Sequence, residues 1–393
     1  MSTVVAHGAV SNRSLLPSVL PLTLLSSDGR WTPDGGHPAE AGDHHLIAPT
    51  DEELLRLHRA MVIGRRFDTQ AGALVKQGRM AVYPSSRGQD ACQVGSVLAL
   101  ADRDWLFPTY RDSVAVITRG VDPIEVLTLL RGDWHCGYDP YEHRVAPQCT
   151  PLATNELHAV GLARAAVLKG EDTVALVMLG DGATSEGDTH EALNFAAVWK
   201  APVVFLVQNN GYAISVPLAK QSAAPSLASK GVGYGIPSLL IDGNDVAAVY
   251  SAVKEAVVHG RSGGGPTLIE AITYRMDSHT NADDATRYRS AEEVQAWTAR
   301  DPIIRLERHL VERGLLDEAS LQEVRMQAEA FASVTRTRMN ADVHPDPSDL
   351  FRYVYAEPTA ALKAQHSFLS AETAQTQEDD HRSATTPDDG HRV

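Results

Sequence analysis

Two short runs, TVALVMLG at residues 173–180 and APVVFLVQNNG at residues 201–211, limit the folds open to this chain more than any other feature. Both are apolar at nearly every position instead of alternating. Strands of that kind are covered on both faces, which is the situation of a parallel sheet flanked by helices. Between them lies TSEGDTHEALNFAAVWK, where Ala192, Phe195, Ala196 and Trp199 recur at helical spacing. Strand, glycine turn, helix and strand in that order make a right-handed βαβ crossover. PTLIEAITYR, from Pro266, predicts a third strand after the helical stretch VAAVYSAVKEAVVHG, and the segment from Asp51 to Arg79 predicts one long helix or two, with Asp51 as a cap after Thr50. The expected class is α/β with a doubly wound, mainly parallel sheet.

Composition narrows the function. With 43% hydrophobic and 22% charged residues, the 393-residue chain can bury a sizeable core, which excludes global disorder and a disulfide scaffold. Lys and Arg number 35 against 50 Asp and Glu, a net charge of −15 and the wrong sign for gripping a phosphate backbone, so no nucleic-acid partner is expected. Cys92, Cys136 and Cys149 form no CxxC pair, which suits a reducing cytoplasm better than a zinc site. SLLPSVLPLTLL, residues 14–25, is broken by Pro17 and Pro21, and no apolar run reaches the ~20 residues a membrane span needs. A cytoplasmic location and no membrane association are expected. The chain divides into a loose extension over residues 1–50, a folded domain over 51–355 and an acidic, disordered tail over 356–393.

GDGATSEG begins at Gly180 and QNNGYAIS at Gln208, each directly after a predicted strand. Ligands of open parallel sheets sit outside the carboxyl ends of the strands, so Asp181 and Asn210 can face one crevice. Asp181 puts a carboxylate into a turn whose backbone N–H groups attract phosphate, and beside a diphosphate it requires a divalent cation in between. Mg²⁺ takes oxygen ligands, and Asp181, the amide oxygen of Asn210 and a carbonyl of the following turn offer a set of that kind. A dinucleotide site would need GxGxxG and an acid closing the next strand; GDGATSEG and Gln208-Asn209-Asn210 disfavour it.

GDG, followed by residues 183–208 and then NN, resembles the binding motif of thiamin diphosphate enzymes. PSSRGQDACQVGSVLALADRDWLFPTYRDS, CTPLATNELHAVGLA, IDGND and SHTNADDATRYRSAEEV extend the likeness over residues 50–355: the chain is similar to alpha subunits of the decarboxylating component of 2-oxo acid dehydrogenase complexes. The resemblance implies the thiamin diphosphate-binding fold, with thiamin diphosphate and Mg²⁺ as cofactors. It matches Asp181, Asn210 and the backbone oxygen of Tyr212 to the metal ligands, and Tyr110 and Arg111 to the pair holding the diphosphate. Leu152 matches a backbone contact to the aminopyrimidine; Gly180, Gly182 and Ala183 belong to the turn against the diphosphate. His279 matches an active-site histidine that serves acyl transfer to lipoamide.

SEGDTHEALNFAA and PLAT resemble the branched-chain enzyme, which implies oxidative decarboxylation of 3-methyl-2-oxobutanoate and related 2-oxo acids with acyl transfer to lipoyl groups. SHTNADDATRYR is also similar to bacterial pyruvate dehydrogenase alpha subunits, which keeps pyruvate as the alternative substrate. The implied partners are a beta subunit, which supplies a glutamate in an α₂β₂ heterotetramer, and a lipoyl acyltransferase core. Tyr83 and Phe107 are candidates for the acyl pocket.

The match has departures. Gln208 stands where the animal branched-chain enzymes have a basic residue, Ser278 where they have a second histidine, and Thr280 and Ser290 at their phosphorylation sites, from which no kinase control follows. Stand-alone thiamin enzymes are longer chains, and an inactive cofactor-binding scaffold fits poorly with Asp181, Asn210 and His279 all present. GRSGG at 260–264 fits the hydrolase pattern GxSxG but follows a helix instead of a strand. Residues 276–290, acidic and without an apolar period, are expected to be mobile until cofactor and metal arrive.

Overall fold

The computed structural model describes residues 15–32, 46–341 and 346–385, with side chains to residue 375. Residues 1–14, 33–45 and 386–393 of the expected extension and tail lie outside the described residues. The described residues up to Asn340 form one compact unit, and those from Ala341 onward a second.

Five strands build the central sheet: β1 (Trp105–Phe107), β2 (Ala175–Gly180), β3 (Val203–Asn209), β4 (Ser238–Asp242) and β5 (Thr267–Ile272). Their order is β1-β2-β3-β5-β4 and every pairing is parallel. The expected crossover is present, with helix Gly187–Trp199 joining β2 to β3. Alternate strand residues enter opposite cores, as the two-residue period requires. Leu176, Met178, Val204 and Leu206 pack on one face with helices Asp51–Lys76, Asp90–Leu98 and Val246–His259. Val177, Leu179, Val203, Phe205 and Val207 pack on the other with helices Thr154–Lys169 and Gly187–Trp199. Both faces are therefore dry, and burying each large side chain contributes roughly 1.5–3 kcal/mol.

The long helix from Asp51 is a single element, and Thr50, not Asp51, caps it. The Thr50 hydroxyl accepts from the Glu53 N–H, and the Glu53 carboxylate accepts from the Thr50 N–H at 2.8 Å. GRSGG closes the helix Val246–His259, and Gly263 takes a left-handed φ of 83° there; Ser262 spends its hydroxyl on the His259 carbonyl at 2.9 Å. That is a helix terminus, without the strand end that a nucleophile elbow requires.

Two terminal regions differ from expectation. The N-terminal segment is not loose over residues 22–25: Leu22, Leu24 and Leu25 are buried in the core, and Leu22 pairs with Ile241 beside β4. Irregular backbone can be buried only if its polar groups find partners. Asp245 provides them, one oxygen accepting from the N–H groups of Leu24 and Leu25 at 2.6 and 2.7 Å while the other caps the helix Val246–His259. In the second unit Ala360–Thr385 is one helix where a disordered tail is expected. It lacks an apolar stripe but carries six Ala and three Gln and no Gly or Pro, a composition of favourable intrinsic helix propensity.

Candidate active site

The residues singled out from the sequence stand just beyond the carboxyl ends of the strands. Tyr110 and Arg111 follow β1, Asp181 and Gly182 follow β2, Asn210 and Tyr212 follow β3, and the segment to His279 follows β5. The register Gly180↔Gln208 and Asn209↔Ile272 brings the ends of β2, β3 and β5 level, so these loops share one edge of the sheet.

Asp181 is buried, and its one side-chain hydrogen bond is from the neutral Gln221 amide at 2.7 Å. Burial pushes its carboxyl above the usual range, against the pull of Gln221 and of Arg275 farther away. The two asparagines of NN divide their tasks. Asn209 donates to Glu270 of β5 at 2.7 Å and holds the sheet edge. Asn210 turns its amide oxygen to the Tyr212 N–H at 3.2 Å and its amide nitrogen to Gln89 at 3.0 Å. The Tyr212 carbonyl accepts from Arg275 at 3.3 Å, which leaves a lone pair for a further partner. Asp181, Asn210 and Tyr212 thus offer one carboxylate and two neutral oxygens, a donor set suited to a hard cation. Among the described residues no group of three or more His, Cys, Asp or Glu side chains forms a metal cage.

Glycine is required twice here. A Cβ on Gly182 would lie 2.8 Å from that of Ala213, and Gly211 has a φ of 87°. Gly180 meets no such limit, and Ala183 is buried in the short helical turn after Asp181. Leu152 is 41% exposed in the turn before helix Thr154–Lys169 and is brought beside the Tyr110 loop by the bridge between Thr109 and Cys149.

Tyr110, Arg111 and His279 come together directly. The Tyr110 ring meets His279 edge-on at 6.1 Å, and the Arg111 guanidinium donates to His279 Nδ1 at 3.1 Å and to its carbonyl at 2.9 Å. Arginine cannot accept, so Nδ1 is the acceptor and the ring proton sits on Nε2. Burial, then Arg111 and Arg275, pull the imidazole down to about 4, and His279 is neutral near pH 7. Arg275, which the sequence reading missed, is fully buried and links the two halves of the site, reaching Tyr212, His279 and the Ile214 carbonyl. Ile214 is a β-branched residue at φ 55°, a strained conformation beside the site. An arginine closing a mainly apolar predicted strand was the available signal. Tyr83 and Phe107 turn inward: the Tyr83 hydroxyl donates to Asp68 at 2.8 Å, and Phe107 packs against Trp105 in the core.

The loop from Met276 to Ser290 is tied down by polar contacts, in place of the free segment expected. His279 N–H donates to Asp283, Arg289 to the carbonyls of Arg275 and Met276, and Tyr83 N–H to Asn281. Ser290 caps the helix Ala291–Thr298. A further tie runs through Ser85, whose Oγ lies 2.7 Å from a carboxylate oxygen of both Asp68 and Asp277. One hydroxyl proton cannot serve two ionised acceptors, so the arrangement is complete only when one carboxyl is protonated. Burial raises Asp68 to about 6, against hydrogen bonds from Ser85, Ser86 and Tyr83. A raised carboxyl favours the folded contact at low pH and loses it as pH climbs through its folded value. Amide exchange of residues 276–283, corrected for intrinsic rates, should therefore be several-fold faster at pH 8 than at pH 5. Asp68→Asn, whose amide can donate to Ser85 as the protonated acid does, should remove most of that difference. An unaltered pH dependence in the variant would rule out Asp68 as its origin.

Comparison with known proteins identifies the family. Residues 58–348 match the family described as the dehydrogenase E1 component. The chain is 47% identical, over 345 residues, to the 3-methyl-2-oxobutanoate dehydrogenase subunit alpha of Mycobacterium tuberculosis, covering 88% of this chain and 93% of that protein. It is 37% identical over 319 residues to the pyruvate dehydrogenase E1 component subunit alpha of Acholeplasma laidlawii, covering 80% and 92%. The corresponding subunit of Staphylococcus aureus is 41% identical over 283 residues, covering 72% and 76%. The family implies thiamin diphosphate as cofactor and, for an alpha subunit, a beta partner. On these matches the chain belongs to the dehydrogenase E1 component family.

Proposed function

We propose that this chain is the alpha subunit of a branched-chain 2-oxo acid dehydrogenase, decarboxylating 3-methyl-2-oxobutanoate and its relatives and passing the acyl group to lipoyl groups. The observation that carries the substrate is the 47% identity to a subunit named for that activity, across 93% of its length. The pyruvate dehydrogenase relatives stand lower, at 37% and 41%. In this reading the cofactor is bound with Mg²⁺ at the ends of β2 and β3, the chain pairs with its beta subunit as an α₂β₂ heterotetramer, and the assembly works on a lipoyl acyltransferase core. Three free cysteines suit a cytoplasmic setting. No helix among the described residues is long and apolar enough to cross a membrane.

Thiamin diphosphate, when bound, would supply a carbanion for the 2-oxo carbon and an electron sink for the electron pair that departing CO₂ leaves behind. The chain's own residues bind and position. Asp181, the Asn210 amide oxygen and the Tyr212 carbonyl would hold Mg²⁺, and a single carboxylate among them would leave the metal net positive charge with which to attract a diphosphate. Gly182 and Ala183 keep the turn small enough for that approach. Arg111, with Tyr110 beside it, presents a guanidinium fork, the geometry that suits phosphate oxygens. His279, neutral with its proton on Nε2, can donate that N–H as a hydrogen bond at the acyl-transfer step while Arg111 fixes the ring through Nδ1. The carboxylate that activates the aminopyrimidine comes from the beta subunit.

Two measurements test the reading. The purified chain should show no 2-oxo acid decarboxylation alone and should gain it with the beta subunit, with a higher kcat/KM on 3-methyl-2-oxobutanoate than on pyruvate. Turnover by the chain alone would contradict the half-site, and a preference for pyruvate would contradict the substrate. His279→Ala in the assembled enzyme should slow reductive acylation of a lipoyl domain about a hundredfold, and decarboxylation with an artificial electron acceptor far less. Equal losses would move His279 to decarboxylation or cofactor binding.

A further inference from the structure

Gln208 occupies the position where the resemblance leads one to expect a basic residue, and its side chain belongs to a buried chain of polar groups that ends on Asn210. The Gln208 amide nitrogen donates to Asp112 at 2.7 Å, and its oxygen accepts from the Gln89 amide at 3.0 Å. The Gln89 oxygen in turn accepts from the Asn210 amide at 3.0 Å. Asp112, Gln89 and Gln208 are no more than 2% exposed, and Asn210 is 6% exposed. Water has little access to reset any link.

An amide can be built either way round, so its orientation has to be derived from its partners. Here both ends of the chain impose the same answer. Burial pushes the Asp112 carboxyl up, and the hydrogen bonds from Thr109 and Gln208 and the charge of Arg111 pull it back; as a carboxylate it only accepts, and its second oxygen already accepts from the N–H and hydroxyl of Thr109 at 2.7 and 2.6 Å. Facing Asp112, Gln208 must present its NH₂ and therefore turns its oxygen to Gln89. Gln89 must then present its NH₂ to Gln208 and its oxygen to Asn210. Asn210 must turn its NH₂ to Gln89, which directs its oxygen to the side of Tyr212. At that far end the Tyr212 N–H donates to the Asn210 oxygen at 3.2 Å, which requires the same polarity.

We propose that Asp112, acting through Gln208 and Gln89, is a positioning residue that fixes the amide of Asn210 with its oxygen toward the metal site. The inference rests on the metal-site reading given above and adds to it the origin of the Asn210 orientation. The competing account is a buried polar chain that only holds the loops together; packing alone would be insensitive to the direction of the hydrogen bonds, whereas this relay depends on it.

Direction is what the test reads. In Asp112→Asn the carboxylate that sets the polarity is gone. The amide in its place, still accepting from Thr109, must donate to Gln208, which reverses the chain through Gln89 to Asn210. Asp112→Asn should therefore weaken Mg²⁺ about tenfold or more, the range seen for groups that orient a metal ligand, whereas Gln89→Glu alone still accepts from Asn210, keeps its orientation and should change the affinity far less. The measurement is calorimetric titration of Mg²⁺ into the assembled alpha/beta enzyme at fixed, saturating thiamin diphosphate. The double variant moves the carboxylate from position 112 to position 89. The carboxylate introduced by Gln89→Glu would accept from both Asn210 and Gln208, Gln208 would turn round, and the amide introduced by Asp112→Asn would donate to it while still accepting from Thr109. The double variant should return to within about threefold of wild type, and its rescue does not depend on either single variant being well folded. Wild-type affinity in Asp112→Asn would overturn the inference, as would a double variant no better than Asp112→Asn alone. Wild-type enzyme that binds thiamin diphosphate equally well in EDTA would overturn the metal reading itself and the inference with it, an outcome distinct from the other two.

Discussion

The parallel pairing of β2, β3 and β5 is the constraint on which the rest depends. Each strand is apolar on both faces, so a slip of one residue would exchange the two cores, Leu206 for Phe205 and Met178 for Val177, and neither layer would tolerate it. Fixing that register fixes the level at which the chain leaves the sheet. Asp181, Asn210 and the Arg275–His279 segment depart from neighbouring strands at the same edge, and polar side chains from distant parts of the sequence meet there without a helix or strand of their own to place them. The site is a consequence of the core.

Charge at that edge is unevenly matched. Arg111 and Arg275 both reach His279, and burial together with their charge keeps the imidazole neutral, while Asp181 lies buried with the neutral Gln221 amide hydrogen-bonded to it and no cationic side chain in direct contact among the described residues. The guanidinium groups and the carboxylate stand apart instead of neutralising one another directly. An arrangement of that kind suits a ligand that brings both signs: an anionic diphosphate for the arginines and a cation for Asp181. The Tyr212 carbonyl and Ile214 carbonyl absorb part of the Arg275 charge, and the strained backbone at Ile214 is held in place by that contact.

Local signals made part of this legible in the sequence. Unbroken apolar runs exposed the strands, and the residues directly after them, Asp181 and Asn210, could be read because position beyond a parallel strand already implies a crevice. Partners far apart in sequence left no such trace. Gln89 meets Gln208 and Asn210, Asp68 meets Ser85, and Arg275 meets Tyr212 through side-chain hydrogen bonds that no periodicity announces. For the same reason the loop after Met276, without an apolar period, gave no sign of the polar contacts that run through it. Residues 22–25 read as loose because prolines break their pattern, yet a single buried carboxylate, Asp245, satisfies their backbone and lets three leucines into the core. The helix Ala360–Thr385 was missed by an argument from burial, because propensity alone supports it.

The central claim is that Asp181 holds a divalent cation against a diphosphate, and binding of thiamin diphosphate to the assembled enzyme tests it most directly. Calorimetry with wild type and with Asp181→Asn, each in Mg²⁺ and in EDTA, separates the contributions. The account predicts tight binding by wild type only in Mg²⁺, and a loss of about a hundredfold or more in the variant, because an amide cannot replace the one charged ligand of the set. Wild-type affinity in Asp181→Asn would contradict it.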